Sequence, residues 1–447
     1  MDRLMEIKVK LKHVLGNSIL FHLGKSDAGL ICYQDLDRIF SSSQPDLAQK
    51  VQEHLQHYFG PKLWQKGLSE KLITCLAQNI VLRKTGQLDE KLAEELHSLI
   101  PGLDESRLSP RTWLALEVQA TASGLYRAGY ELRKIALKSI YATAGLAQLK
   151  RQKSKLLFRA AVDQSDPMTA DKAFSRYLSF EKNNQRADLA RFYHDMSRGD
   201  RASMLEIARR YYSDIDRQFA QFIDGKRVAI VGPAPNDEDS AQEIDQFDVV
   251  IRLNYRGPQS LPPAEQYGSK MDISYYNGDN AKGILKANDF SFVNDLQFAV
   301  FKSVRYAYSP PLLRTGTPAT RAMFSPHQFW FYGTPTMIPN VLFDLLHFNP
   351  ATIKLFKANF FYTKTLYYKG YSTVDHSLSH FSKVWYNHAK HNLISQLNFT
   401  RMLVQNGLVE TDQTCRAVLD LDNQDYISGM EQLFVIDPIE RAAKANH

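Results

Sequence analysis

The 447-residue sequence is short of cysteine: Cys32, Cys75 and Cys415 are too few and too scattered for a disulfide framework or a cysteine-built zinc site, and suit a reducing compartment. No apolar run approaches the ~18 residues of a membrane span. The start, Met1-Asp-Arg-Leu-Met-Glu-Ile, lacks the charged, apolar, small-residue order of a secretion signal. These absences set the expectation of a cytoplasmic protein. Clustered Gly or Pro is missing too; the 22 Gly and 18 Pro are dispersed, which excludes collagen-like and disordered classes. The length allows roughly two to four domains.

What is present is a charge asymmetry. Residues 1–220 hold 34 Lys+Arg against 26 Asp+Glu and residues 221–447 hold 21 against 22, so the net +7 is +8 in the first half and −1 in the second. A basic half points to an acidic partner such as an anionic membrane face, or else is a solvated basic surface. Near the start, Ile7, Val9 and Leu11 alternate with Lys8, Lys10 and Lys12, which predicts a short strand with a lysine-guarded edge.

From about Gln44 to Phe222 helical periodicity dominates, in Ala48 to Tyr58, Glu90 to Leu99, Thr112 to Leu146 and Ala202 to Phe222. Breaks fall at Gly60-Pro61, Pro101-Gly102, Ser109-Pro110, Asp166-Pro167 and Arg198-Gly199-Asp200. No fixed period emerges, so residues 1–222 read as a mainly helical domain, either an α-solenoid or a bundle. At Asp224-Gly225-Lys226 the pattern changes. Arg227 to Val231, Asp248 to Leu253, Asp272 to Tyr276 and Phe298 to Phe301 are short apolar runs of the kind that form buried parallel strands. Asn340 to Phe348 and Leu393 to Asn406 read as helices, so residues 223–447 predict an α/β domain with helices on both faces of its sheet. Ser303 to Gly333, rich in aromatics and proline, reads as a long irregular connection, either a wall or lid whose aromatics stack on a ligand or satellite core packing.

Ligands of open α/β sheets sit beyond the carboxyl ends of the strands, which directs attention to Gly232-Pro-Ala-Pro-Asn236. It is no dinucleotide fingerprint: it has one glycine, and two prolines remove backbone donors. Further on come Glu243-Ile-Asp-Gln-Phe-Asp-Val-Val-Ile-Arg-Leu-Asn254, Tyr267-Gly-Ser-Lys270, Gly333-Thr-Pro-Thr336 before an apolar helix, and His391-Asn-Leu-Ile-Ser-Gln396. In this order the pieces resemble the large, small and very small motifs of the sialyltransferases of glycosyltransferase family 29. The middle segment is the most specific part, and the likeness covers about residues 226–412.

The resemblance implies a Rossmann-like single-sheet glycosyltransferase domain, a GT-A-like variant, preceded by the all-helical domain. It implies an inverting transferase that moves an acidic sugar from a CMP donor to a glycan acceptor, with His391 as the base. Donor-binding positions carried over are Gly232, Ala234, Asn236, Asn254, Ser269, Thr334, Pro335 and Thr336, with His376, ahead of Tyr371, as the phosphate-facing histidine and Arg252 and Gln396 in support. Three departures stand out. Pro233 replaces a donor-binding Asn, Gln396 replaces the motif's Glu, and no cysteine lies near either motif to form the disulfide of secreted members. The first two lean away from an orthodox sialyltransferase, and Kdo stands slightly ahead of sialic acid as the sugar because a cytoplasmic enzyme with a basic helical domain suits capsule or lipopolysaccharide assembly at the inner membrane face.

Neither metal nor nucleic acid is expected. Asp214-Ile-Asp216 and Asp420-Leu-Asp422 have the form that binds a nucleotide diphosphate through a metal but read as solvated acids, and the pairs His376/His380 and His388/His391 lack a companion Glu for zinc. The alternative class is a non-catalytic nucleotide-binding module fused to a helical interaction domain.

Overall fold

The structure is a computed structural model; it describes residues 39–40, 46–64, 70–106, 108–143, 145, 149–235, 239–309, 312, 319–364, 367–368, 371 and 381–445. The strand expected at Ile7 to Leu11 lies outside these residues. The helical half contains α1 (Leu47–Trp64), α2 (Glu70–Lys84), α3 (Glu90–Leu99), α4 (Pro110–Ala122), α5 (Tyr126–Tyr141), α6 (Arg151–Asp163), α7 (Pro167–Leu178), α8 (Asn184–Arg198), α9 (Arg201–Arg209) and α10 (Asp214–Ile223). Local chemistry sets the ends: Ser109, Asp166, Asn183 and Asp200 cap by accepting a backbone N–H in the first turn, and Ser213 with Asp216 makes a reciprocal capping box. Two expected helices are each broken in two. Thr112 to Leu146 is interrupted at Gly124, whose φ of 81° ends α4 and whose missing side chain leaves room for the Trp385 ring. Ala202 to Phe222 is interrupted at the Ser213 cap.

The second half alternates strands and helices: β1 (Arg227–Val231), α11 (Ala241–Asp245), β2 (Val249–Leu253), α12 (Ala264–Tyr267), β3 (Ile273–Tyr276), α13 (Gly278–Ala287), β4 (Phe298–Phe301), α14 (Val304–Ala307), β5 (Ala319–Ala322), α15 (Met337–Leu345), β6 (Thr352–Phe356), α16 (Phe381–His391), α17 (Leu393–Gln405), β7 (Glu410–Thr411), α18 (Gln413–Leu419), α19 (Asn423–Glu431) and α20 (Asp437–Ala445). The seven strands form one all-parallel sheet in the order β5-β4-β3-β2-β1-β6-β7. This is an α/β sheet. β2, β3 and β4 are buried along their whole length, which is why they read as apolar runs, interrupted only by Arg252 and Ser274.

The region expected to be irregular contains α14 and β5, and its Phe329, Trp330 and Phe331 are buried in the main core, so of its two readings the aromatics follow the packing one. No helix among the described residues is long and apolar enough to cross a membrane.

Architecture changes between Ile223 and Arg227, but the core does not divide there. One apolar cluster runs from Val51 and Trp113 through Phe158 and Phe219 to Ile251 and Tyr275 of the sheet and on to Leu397 and Met430. Polar contacts cross the same boundary. Arg321 on β5 donates to Asp216 of α10 (3.0 Å) and to both oxygens of Asp344 on α15 (2.6 and 3.0 Å), and Tyr275 donates to Asp344 as well (2.6 Å). Arg133 on α5 donates to Asp163 (2.6 Å), Asn392 (3.0 Å) and Ser395 (3.2 Å).

Candidate functional site

The chain leaves β1 outward through β2 to β5 on one side and returns through β6 and β7 on the other, so the strand order reverses between β1 and β6. A crevice at the carboxyl ends of such a pair is the usual ligand position. A cleft of about 530 Å³ lies at this edge, lined by Pro235, Asn359, Tyr362, Thr363, Gln413 and Thr414, within the size range of small-molecule sites. Left-handed backbone gathers along the same edge: Asn254 after β2 (φ 56°), Lys357, Phe360 and Phe361 after β6 (φ 54°, 50° and 69°), and Asn392 beside His391 (φ 51°). Non-glycine residues held this way cost of order 1–3 kcal/mol each and cluster at functional sites.

The turn after β1 is closed rather than open. Gly232 N donates to Phe356 O (2.8 Å) and Ala234 N to Lys357 O (3.0 Å), while Pro233 and Pro235 have no N–H to offer. A Cβ at Gly232 would stand 2.4 Å from Lys357 O, so glycine is required for β1 and β6 to approach. No backbone amide from 232 to 235 is therefore free for a phosphate; Asn236 lies outside the described residues, as does His376.

Asn254 faces the crevice edge with both ends of its amide engaged, donating to the Tyr371 hydroxyl (2.8 Å) and accepting from Asn277 N (3.1 Å). Arg252 and Ser269 stand apart. The guanidinium of Arg252 is buried and donates to the carbonyls of Tyr267, Gly268 and Lys270. Ser269 is held by Asp245 through its N–H and hydroxyl (3.0 and 3.2 Å), while Lys270 Nζ reaches Phe247 O and Asp248 O ahead of β2, at the opposite edge of the sheet. Arg252 thus secures the Tyr267-Gly-Ser-Lys270 stretch, and Ser269 does not join the other candidates.

The remaining candidates meet. The segment Gly333-Thr-Pro-Thr336 is laid against the junction of α16 and α17. Thr334 N donates to Lys390 O (3.0 Å), and Gln396 accepts from both Thr336 N (2.9 Å) and Thr336 Oγ1 (2.7 Å) while its NH₂ donates to Thr334 O (3.2 Å) and His391 O. An amide fits here because the site offers two donors and two acceptors; a carboxylate would face the two carbonyls with nothing to give. His391 Nδ1 lies 2.9 Å from Thr334 O and 3.1 Å from Thr334 Oγ1; the carbonyl only accepts and the hydroxyl, which can give its own proton to Lys390 O, can accept as well, so a proton on Nδ1 serves both and leaves the lone pair on Nε2. Burial, with Lys302 and Lys390 behind it, lowers the imidazole pKa from 6.5 to about 4, so it is neutral at physiological pH.

Behind His391 stands Asn392, which caps α17 and is gripped by Arg133 and by Glu117, to which it donates (2.7 Å). The helical half therefore fixes the backbone next to the candidate base. Sequence reasoning missed Lys302, which donates to Pro335 O (2.9 Å) and whose pKa burial lowers to about 8. Its position directly after β4 was the available signal, because that is where a parallel strand delivers side chains to a ligand.

The acidic pairs serve structure: Asp214 pairs with Arg217 and Asp216 with Arg321, while Asp420 pairs with Arg416 and Asp422 caps α19. His388 is buried against Tyr126 (Nδ1 to hydroxyl 2.8 Å). Among the described residues no group of three His, Cys, Asp or Glu could hold a metal ion. The fold and site together define an α/β protein with a histidine-centred site at the carboxyl edge of its sheet. Comparison of the chain with family models, with curated proteins and with solved structures found no match.

Proposed function

We propose that the chain is an inverting glycosyltransferase of the GT-A-like, single-sheet kind, moving an acidic sugar, Kdo ahead of a sialic acid, from a CMP donor to a glycan or lipid-linked glycan acceptor. Its place is the cytoplasmic side of the membrane that receives capsule or lipopolysaccharide precursors, with the basic helical half toward the lipid. The observation that carries this reading is His391, whose Nδ1 is committed to Thr334 O and whose Nε2 has no hydrogen-bond partner among the described residues. That nitrogen takes the proton of the acceptor hydroxyl as the oxygen bonds to the anomeric carbon, and the bond to the phosphate breaks with its electron pair leaving on CMP. Lys302 and Lys390 stabilise the negative charge that develops beside them. An anionic donor would offset these two cations, which hold the imidazole pKa down, and so strengthen the base at the moment it is needed.

The test is release of CMP from CMP-Kdo and CMP-sialic acid by the purified chain. His391→Ala should cut release from the preferred donor by about 10²–10⁴-fold. One observation favours the second reading, a non-catalytic nucleotide-binding module: in the described part of the β1 turn, residues 232–235, no amide is free for a phosphate. No release from either donor, with or without acceptor extracts, would establish that reading over the transferase.

A further inference from the structure

On α6, Arg151, Lys155 and Arg159 follow one another at every fourth position and so occupy one face of the helix. Like charges at this spacing repel, and a fold normally relieves them with acids. Arg151 is relieved by Glu181. Lys155 and Arg159 are not: among the described residues neither forms an ion pair, and Asp163, one turn beyond Arg159, is turned to Arg133 and Ser395. Lys155 Nζ stands 4.8 Å from the centre of the Phe329 ring, and Arg159 donates to Phe331 O (2.8 Å) with its buried Nε left without a partner.

The same loop receives cations from the other half of the molecule. Lys302 holds Pro335 O, and the backbone of Lys390 holds Thr334 N. His327 lies in the turn Pro326–Gln328 that opens the loop, two residues before Phe329, whose ring Lys155 approaches, and burial together with the charges of Arg159, Lys302 and Lys155 lowers its pKa to about 4. All of them are half-buried and so within reach of solvent. Burial, with the neighbouring cations adding to it, lowers the pKa of Lys155 from 10.5 to about 8 and of Arg159 to about 10, and Glu181 and Asp163 offset only part of this.

We propose that Lys155 and Arg159 of the helical half, with Lys302 and His327, form a binding subsite for a phosphate group at the loop that runs from His327 to Pro335. Three fixed cations exceed what a single carboxylate neutralises and match a phosphate monoester dianion. Assigning that phosphate to the acceptor rests on the transferase reading; the binding of phosphate does not.

The experiment is isothermal titration of the full chain with inorganic phosphate at low salt. Phosphate should bind, about tenfold or more weakly in Lys155→Gln and in Arg159→Gln, and nearly unchanged in Arg151→Gln, whose charge is already paired. Lys155→Gln removes no hydrogen bond, so it answers the question even if Arg159→Gln fails to fold. Vesicles containing phosphatidic acid form a second arm: binding that free phosphate displaces assigns the group to a lipid headgroup, and phosphate binding without vesicle binding assigns it to a soluble acceptor. Absence of phosphate binding at millimolar concentration, or binding that ignores both substitutions, overturns the subsite. Donor-only CMP release reports separately on the transferase, so a chain that releases CMP but ignores phosphate loses the subsite alone, and the converse loses the transferase alone.

Discussion

Two regions of the molecule bury cations in opposite ways. Where the helical half meets the sheet, Arg321 and Arg133 are fully enclosed and each is matched by two carboxylates, Asp216 with Asp344 and Glu117 with Asp163. Around the loop that opens at His327, Lys155, Arg159 and Lys302 form no ion pair among the described residues and meet rings and carbonyls instead. Enclosing a charge is costly unless it is paired, so the first arrangement suits a structural cation and the second leaves room for a charge from outside. A lone buried cation such as Arg252 can hold the fold through carbonyls alone, so the contrast lies in the gathering of several unpaired cations on one loop.

The sharpest way to break this comparison is at Asp344. Asp344→Ala leaves Arg321 buried with one acid and Tyr275 without its acceptor, and chemical denaturation should show a loss of about 3–5 kcal/mol. Gln396→Glu, which restores the residue the family motif carries, should cost less, about 1–3 kcal/mol, because it sets a carboxylate against Thr334 O and His391 O. Its folded pKa would lie above the unfolded value, so the mutant should be most stable in acid and lose stability as pH rises. Urea unfolding at pH 5 and pH 8 checks the sign. Lys155→Met should go the other way and stabilise the unliganded chain by about 1 kcal/mol. With a folded pKa of about 8 against 10.5 unfolded, Lys155 binds its proton more weakly in the native state, so wild-type stability should rise between those values and the mutant should lack that rise. A Lys155→Met that destabilises would place Lys155 with the structural cations.

Much of this was legible in the residues. β1 to β4 could be read because strands covered on both faces are continuous apolar runs. β5 could not, because Ala319-Thr-Arg-Ala322 has no large apolar residue, and the burial of its arginine depends on acids from α10 and α15. β7, of two residues, gives no pattern at all. Of the site, the grouping of His391, Gln396, Thr334 and Thr336 followed from the motifs, whereas Ser269 goes elsewhere because Asp245 claims it. Lys155 and Arg159 escaped notice because their neighbours in space are 172 residues away in the case of Arg159 and Phe331. The excess positive charge of the first half, read as a property of a surface, has in part a location.

The grip of Arg133 on Asn392 joins residues 259 apart in the chain. On a ribosome the helical half emerges first, and until α17 follows it lacks two of the side chains that hold the Arg133 guanidinium. Contacts of such long range form late and slowly. The conformation beside His391 is then among the last features to be set, and a chain cut near residue 222 would leave each fragment with an open core and half of a polar network. Structural work on this protein is best done on the uncut chain, and a stalled or truncated product is the species from which aggregation should begin.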